Sequence, residues 1–154
     1  YRPMKTHENI LLFAKKPGGT YNPIMEKGEP FKRQSKNPEG YVSKRNDHGY
    51  GLKPVKGFEN KGTRYPKSIL NISRDFSAQQ QVHPTQKPVP VLEWLIKTYS
   101  NEGDIVLDNC MGSGSTGVAA RKLFRKFIGI DNEEKYVTIS RERIQEIPLD
   151  LTQL

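Results

Sequence analysis

The segment from residue 104 to residue 131 constrains the fold more than any other part of the sequence. The run DIVLD has β-branched residues at its centre, ends at Asp108, and leads directly into NCMGSGSTG, a glycine-rich loop. A stretch that can form a helix follows, and a second strand-like run, KFIGI, leads to Asp131. Strand, glycine loop, helix and strand in this order predict a parallel sheet, with ligand bound beyond the carboxyl ends of the strands.

Helical patterns lie on both sides of the glycine loop. Apolar residues at 91, 92, 95, 96 and 99 predict a helix from about Pro90 to Ser100, because prolines near a helix start remove N–H groups that lack a helical partner. Residues 118–124 and 133–144 are predicted as two further helices. The expected fold class is therefore α/β, a partial doubly wound, Rossmann-like sheet with an irregular basic insertion.

The glycines and the second acid indicate a ligand site. Gly112 and Gly114 leave bare main chain for a ligand to lie against, since a Cβ would hold it off or forbid the required φ angles. Asp131 can accept hydrogen bonds from both hydroxyls of an adenosine ribose. The competing interpretation is structural: the glycines make only a tight turn, and Asp131 only caps the next helix.

The spacing alone leaves the kind of adenosine ligand open, because Gly112, Gly114 and Gly117 also fit the G-x-G-x-x-G pattern of dinucleotide binders. A dinucleotide-dependent oxidoreductase is disfavoured by Asp108, since a carboxylate at the strand end suits a cationic ammonium better than a phosphate. A phosphate-loop nucleotidase is excluded more firmly, because no lysine follows Gly117.

The amino-terminal half is basic and shows little periodicity. Residues 1–82 carry 16 Lys and Arg against 7 Asp and Glu, whereas residues 83–154 carry 9 against 10. The run ILLFA at residues 10–14 and the run SILNI at residues 68–72 predict strands, with no regular elements expected between about 17 and 67. A basic stretch rich in Gly, Pro, amides and Tyr suits a DNA phosphate backbone, and a solvated linker is the alternative.

Composition excludes several other classes. No apolar run approaches the roughly 20 residues that a membrane-spanning helix needs, and the first residues lack a secretory cleavage site. Cys110 is the single cysteine, and the three histidines show no metal-ligand spacing. We therefore expect a cytoplasmic protein without a bound metal.

Three motifs together resemble a known family, the DNA adenine/cytosine amino-methyltransferases of the class whose catalytic motif precedes the cofactor motif. These motifs are HPTQKP at residues 83–88, DNCMGSGST at 108–116, and IGID at 128–131 with Tyr136 and Arg143 after it. The resemblance implies methyl transfer from S-adenosylmethionine to an amine of adenine, or of cytosine, in duplex DNA, and a place in restriction-modification.

The resemblance also implies roles for individual residues. The HPTQKP segment would shape the methionine end of the cofactor pocket, the glycine loop would line the rest, and Asp131 with its neighbour would contact the ribose. The implied cofactor-binding residues are Thr85, Gln86, Lys87, Asp108, Asn109, Cys110, Gly112, Gly114, Asp131 and Asn132. The family's loop more often has Pro and Phe where this chain has Asn109 and Cys110.

The resemblance further divides the chain. Residues 1–16 would close the catalytic part, 17–67 would form the DNA target-recognition region, and 68–154 would form the cofactor-binding subdomain. The candidate phosphate ligands are Lys32, Arg33, Lys44 and Arg45. The family's catalytic tetrapeptide, Asp, Asn or Ser followed by Pro-Pro and an aromatic residue, does not occur in the sequence. No catalytic residue is therefore assigned, and we expect the missing amino-terminal catalytic part of the same enzyme as a partner. A DNA-binding module with a vestigial cofactor fold is the alternative.

Overall fold

The computed structural model describes residues 8–33 and 58–148. Their contacts divide them into two compact units. The first unit comprises described residues 8–22 and 71–148, and the second comprises 23–33 and 58–70. In chain order the elements are β1 Glu26–Lys27, β2 Phe31–Arg33, β3 Phe58–Asn60, β4 Thr63–Arg64, a 3-10 turn Ala78–Gln80, α1 Val89–Tyr99, β5 Ile105–Asp108, α2 Ser115–Lys122, β6 Lys126–Gly129 and α3 Glu134–Gln145.

The first unit is built on a parallel strand pair joined by a helix. β5 and β6 pair in parallel from Ile105 opposite Lys126 to Asp108 opposite Gly129, and α2 makes the crossover between them. Strands and helices therefore alternate as the sequence predicts, and the α/β class is confirmed. The predicted helices form within about three residues of their expected bounds, and the two predicted strands at 104–108 and 126–131 are one to two residues shorter.

The core of this unit is small and lies between α1, α2 and one face of the strand pair. Alanines 119 and 120 are fully buried, which lets α1 and α2 approach closely. The buried apolar residues are Val89, Ile96, Val118, Ala119 and Ala120, and Val106 and Phe127 pack against them from the strands. Because the glycine loop connects β5 to α2, we expect a substitution that disrupts this core to displace the loop as well.

The opposite face of the strand pair is exposed. Alternate residues point away from the core, and Ile105 and Leu107 of β5 are 63% and 61% accessible to solvent. Ile128 of β6 and Ile130, which follows this strand, are also exposed, at 50% and 54%. Parallel sheets are ordinarily covered on both faces, and within the described residues the helices pack on only one.

The second unit contains two antiparallel strand pairs, β1 with β4 and β2 with β3. Between β3 and β4 the side chain of Asn60 accepts hydrogen bonds from the N–H groups of Gly62 and Thr63, at 2.8 and 3.0 Å, which fixes a tight turn. The expectation of no regular elements between 17 and 67 is therefore wrong for the described part. Strands of two or three residues are too short to produce a detectable apolar period.

Two predicted strands do not form. Residues 10–14 have no partner strand within the described chain, and Phe13 is 86% exposed. Residues 68–72 also lack strand pairing, and Ile69 is 83% exposed. An apolar run becomes a strand only where another strand satisfies its backbone groups, and sequence alone does not supply that neighbour. No helix among the described residues is long and apolar enough to cross a bilayer.

Candidate cofactor site

The candidate site lies at the carboxyl ends of β5 and β6, where two loops meet. The N–H of Ile130 donates to the carbonyl of Asp108 at 2.9 Å, and the N–H of Met111 donates to the carbonyl of Ile130 at 3.0 Å. The backbone ladder of the sheet thus continues into the loops. Asp108, the last residue of β5, and Asp131, which follows β6, are consequently held at the same edge.

Asp108 organises the start of the glycine loop. Its Oδ1 accepts a hydrogen bond from the N–H of Cys110 at 3.0 Å, and its Oδ2 accepts one from the Thr116 hydroxyl at 2.6 Å. The carboxylate therefore links the end of β5 to the first turn of α2. Each carboxylate oxygen keeps a second lone pair, so Asp108 can still accept hydrogen bonds from a ligand.

Asp131 joins the second loop to the first. Its Oδ2 accepts the N–H of Gly112 at 2.8 Å, and its Oδ1 accepts the N–H of Glu133 at 3.0 Å. The backbone hydrogen bonds from Glu133 and Gly112 hold the pKa of Asp131 below its usual value, with a smaller contribution from His83. Asp131 is thus a fixed anion with acceptor capacity remaining on both oxygens.

The lowered pKa predicts a pH dependence of stability. Because the folded pKa of Asp131 lies below the unfolded value of about 3.9, its contribution is present above that value and is lost as pH falls through the folded pKa. We expect urea unfolding of Asp131→Asn to be less sensitive to pH below about pH 4 than that of the unmodified chain. Equal acid sensitivity of the two proteins would contradict this assignment.

Backbone conformation and packing both require glycine at two positions of the loop. Gly112 and Gly114 have φ angles of +47° and +73°, which side-chain-bearing residues rarely adopt. A Cβ on Gly114 would lie 2.5 Å from Cβ of Ser140 in α3, and a Cβ on Gly112 would lie 3.2 Å from the His83 ring. The absence of a side chain at Gly114 therefore lets α3 pack against the loop.

The HPTQKP segment forms a β-turn before α1. The N–H of Gln86 donates to the carbonyl of His83 at 3.0 Å, with Pro84 at the position that proline favours in such turns. Thr85 lies beside the His83 ring, and its N–H donates to Nδ1 at 3.2 Å. Lys87 instead pairs with Glu8 at 2.8 Å on the exposed surface.

The predicted site residues differ in their surroundings. The structure brings Asp108, Cys110, Gly112 and Asp131 into one hydrogen-bonded cluster, and Gly114 lies in the same loop. Asn109, the Cys110 thiol and Asn132 are exposed at its edge. In the second unit, Lys32 pairs with Glu59 at 3.3 Å and Arg33 ends β2, while Lys44 and Arg45 lie outside the described residues. No group of three or more potential metal ligands occurs in the described ranges.

Three residues that shape the loop are not among the predicted cofactor-binding residues. Thr116 binds Asp108, His83 packs against Gly112, and the Arg143 guanidinium donates to the carbonyl of Ser113. Burial lowers the pKa of Arg143, while the charge of Asp75 opposes that change. Thr116 follows the glycine loop within hydrogen-bonding range of the strand end, and that spacing could have identified it. The contacts of His83 and Arg143 with the loop join residues that are far apart in the sequence, so no local spacing predicts them.

A parallel strand, loop, helix and strand with an acid at each strand end defines an α/β protein whose ligand edge is the carboxyl end of the sheet. A family model described as DNA methylase matches residues 1–142 of the chain. The chain therefore belongs to this family, the N6 and N4 DNA methylases, which use S-adenosylmethionine.

Curated relatives match the carboxyl-terminal motifs over a limited length. The Type II methyltransferase M2.DpnII of Streptococcus pneumoniae is 52% identical over 63 residues, which cover 41% of this chain and 24% of the relative. The Type II methyltransferase M2.LlaDCHI of Lactococcus lactis subsp. cremoris is 50% identical over 64 residues, covering 42% and 24%. The matched segment thus spans about a quarter of the length of these relatives.

Solved structures of two methyltransferases also align with the chain. The M1.HpyAVI–SAM complex is 28% identical, with 78% of this chain and 63% of that chain covered and a TM-score of 0.45. The cytosine-N4-specific PvuII DNA methyltransferase is 22% identical, with 80% and 52% covered and a TM-score of 0.47.

Proposed function

We propose that this chain is the S-adenosylmethionine-binding and DNA-contacting portion of an amino-methyltransferase that modifies adenine or, as the second choice, cytosine. The observation that carries the proposal is the pair of fixed carboxylates, Asp108 and Asp131, tied to one glycine loop. S-adenosylmethionine carries two ribose hydroxyls in its nucleoside and a cationic ammonium in its methionine part, and two anionic acceptors suit these two groups.

The residues divide between the two ends of the cofactor. Asp131 is assigned to the ribose hydroxyls, with Asn132 beside it, and Asp108 is assigned to the ammonium of the methionine part. The loop from Asn109 through Gly114 would line the space between these ends. Thr85 and Gln86, in the turn before α1, would border the methionine end. Lys87 would also border it once its ion pair with Glu8 is broken.

The bound cofactor would supply an electrophilic methyl group on a sulfonium. The described residues would hold and orient it, which reduces the entropy lost when donor and acceptor meet. The target base must also be held with its amine facing the methyl group, and the Pro-Pro-aromatic tetrapeptide that does this in the family does not occur in the sequence. The proposal therefore assigns binding, and no proton transfer, to this chain.

Asp108→Asn tests the proposed orientation with two ligands. S-adenosylhomocysteine carries both ends of the cofactor, whereas 5′-methylthioadenosine lacks the ammonium and carboxylate. We expect Asp108→Asn to weaken S-adenosylhomocysteine about tenfold in a calorimetric titration, because a charge-assisted contact becomes neutral. Binding of 5′-methylthioadenosine should change less than about twofold.

Asp104→Asn is the matched control, since Asp104 lies at the opposite end of β5 and accepts the N–H of Asn101 at 2.7 Å. It should leave both affinities unchanged. Equal losses for the two ligands in Asp108→Asn would remove the ammonium assignment. Tight binding of a nicotinamide dinucleotide in place of either ligand would overturn the proposed cofactor.

The second unit and its neighbouring residues are proposed to contact DNA phosphates. Replacing Lys32, Arg33, Lys44 and Arg45 together by Gln should lower the slope of log affinity against log salt by up to about 3.6, since each phosphate contact contributes about 0.9. Fluorescence anisotropy with a labelled duplex measures the slope across a range of salt concentrations.

The control for this measurement removes the same charge from exposed positions of the first unit. The four substituted residues are Lys97, Lys126, Lys135 and Arg141. This variant should retain most of the slope. If the two variants lower the salt slope by equal amounts, the slope reflects the general charge of the chain. The assignment of the phosphate ligands in and beside the second unit then fails.

A further inference from the structure

The ring of His83 contacts three separate parts of the candidate site. It lies against Gly112 of the glycine loop so closely that a Cβ there would be 3.2 Å from Cδ2 and Nε2. It packs edge-on against the ring of Tyr136 in α3, with centroids 4.4 Å apart. It also belongs to the turn that carries Thr85.

Hydrogen bonds define the orientation of this ring. Nδ1 accepts the N–H of Thr85 at 3.2 Å, which anchors the ring to the turn. The carbonyl of His83 accepts the N–H of Gln86 at 3.0 Å and the side-chain amide of Gln81 at 2.9 Å. The imidazole therefore cannot rotate without breaking the contact with Thr85.

The glycine loop is held from two directions at Gly112. Asp131 accepts its N–H at 2.8 Å, while the His83 ring lies against its Cα. Because Gly112 has a φ of +47° and no side chain of its own, these neighbours determine where its backbone lies. If the turn moved, the His83 ring would move with it and displace the backbone of Gly112.

We propose that His83 is a positioning residue that couples the conformation of the HPTQKP turn to that of the glycine loop. This inference rests on the proposed function and extends it. The turn is assigned to the methionine end of the cofactor, and the inference predicts that it also influences binding at the nucleoside end. His83 would act through Gly112 and need not contact the cofactor.

A double-mutant cycle with 5′-methylthioadenosine tests the coupling. Pro84→Gly loosens the turn, and we expect it to weaken binding of this ligand about fivefold in the otherwise unmodified chain. His83→Ala should weaken binding about tenfold by removing the ring from Gly112. In the His83→Ala background, Pro84→Gly should have less than about a twofold further effect, because the connection is already broken.

His83→Asn supplies a second route if the alanine variant unfolds. Its Oδ1 can accept the N–H of Thr85, so the turn is kept, but the ring contact with Gly112 is lost. It should therefore weaken 5′-methylthioadenosine and remove the effect of Pro84→Gly. Val82→Ala, at an exposed neighbouring side chain, should leave the affinity unchanged.

The outcomes separate the two proposals. If the unmodified chain does not bind 5′-methylthioadenosine, the proposed function fails. If it binds but Pro84→Gly has no effect, or has the same effect with and without His83, the coupling is refuted and the proposed function stands. Unfolding midpoints of all variants show whether affinity changes merely follow stability.

Discussion

Gly114→Ala is expected to destabilise the chain by about 3 kcal/mol, measured as the free energy of urea unfolding. The new Cβ would lie 2.5 Å from Cβ and 2.9 Å from Cα of Ser140, which is 2% exposed and cannot move without displacing α3. Its φ of +73° adds the cost of a left-handed conformation for alanine. Steric overlap and backbone conformation therefore act in the same direction.

Gly103→Ala separates these two causes. Gly103 has a φ of +82°, close to that of Gly114, but a Cβ there would meet nothing within 4 Å. It should cost only about 1 kcal/mol, the conformational part alone. Equal losses at both positions would show that the contact with Ser140 is unimportant.

Ser140→Gly provides a rescue experiment for the same contact. Removing Cβ of Ser140 eliminates the shortest approach but leaves its Cα 2.9 Å from the new methyl group. We expect the double variant to be more stable than the sum of the single losses by about 1 kcal/mol. Strict additivity would contradict the proposed overlap.

Asp131→Ala is expected to weaken S-adenosylhomocysteine at least about 100-fold, the second large effect. Two ribose hydroxyls would lose hydrogen bonds to a charged acceptor, and each such bond contributes about tenfold to affinity. The N–H groups of Gly112 and Glu133 would also lose their acceptor. Glu134→Ala, an exposed acid in the first turn of α3, should leave the affinity within about twofold.

A ligand variant distinguishes loss of the ribose contact from distortion of the loop. The 2′-deoxy analogue of S-adenosylhomocysteine should bind the unmodified chain about tenfold more weakly than the parent ligand. Asp131→Ala should bind the two ligands with nearly equal affinity. If the variant still discriminates between them, another residue holds the 2′-hydroxyl and the assignment of Asp131 is wrong.

Local features determined much of the first unit. The β-branched centre of β5, the glycine loop and the periodicity of α1 gave the order and approximate bounds of its elements, because burial on one side of a helix or strand leaves a repeating pattern. The runs at 10–14 and 68–72 do not form the strands that their apolar pattern predicts, because an apolar run does not reveal whether a neighbouring strand exists.

The sequence by itself predicted that Asp108, the glycine loop and Asp131 occupy the ends of adjacent parallel strands, since consecutive strands joined by a helical crossover usually pair in parallel. Only the tertiary structure decided what holds the loop in place. The contacts of Gly114 with Ser140, Gly112 with His83 and Ser113 with Arg143 join residues 26 to 30 positions apart. Such contacts depend on how α3 and the turn before α1 pack, and neither periodicity nor local spacing specifies that packing.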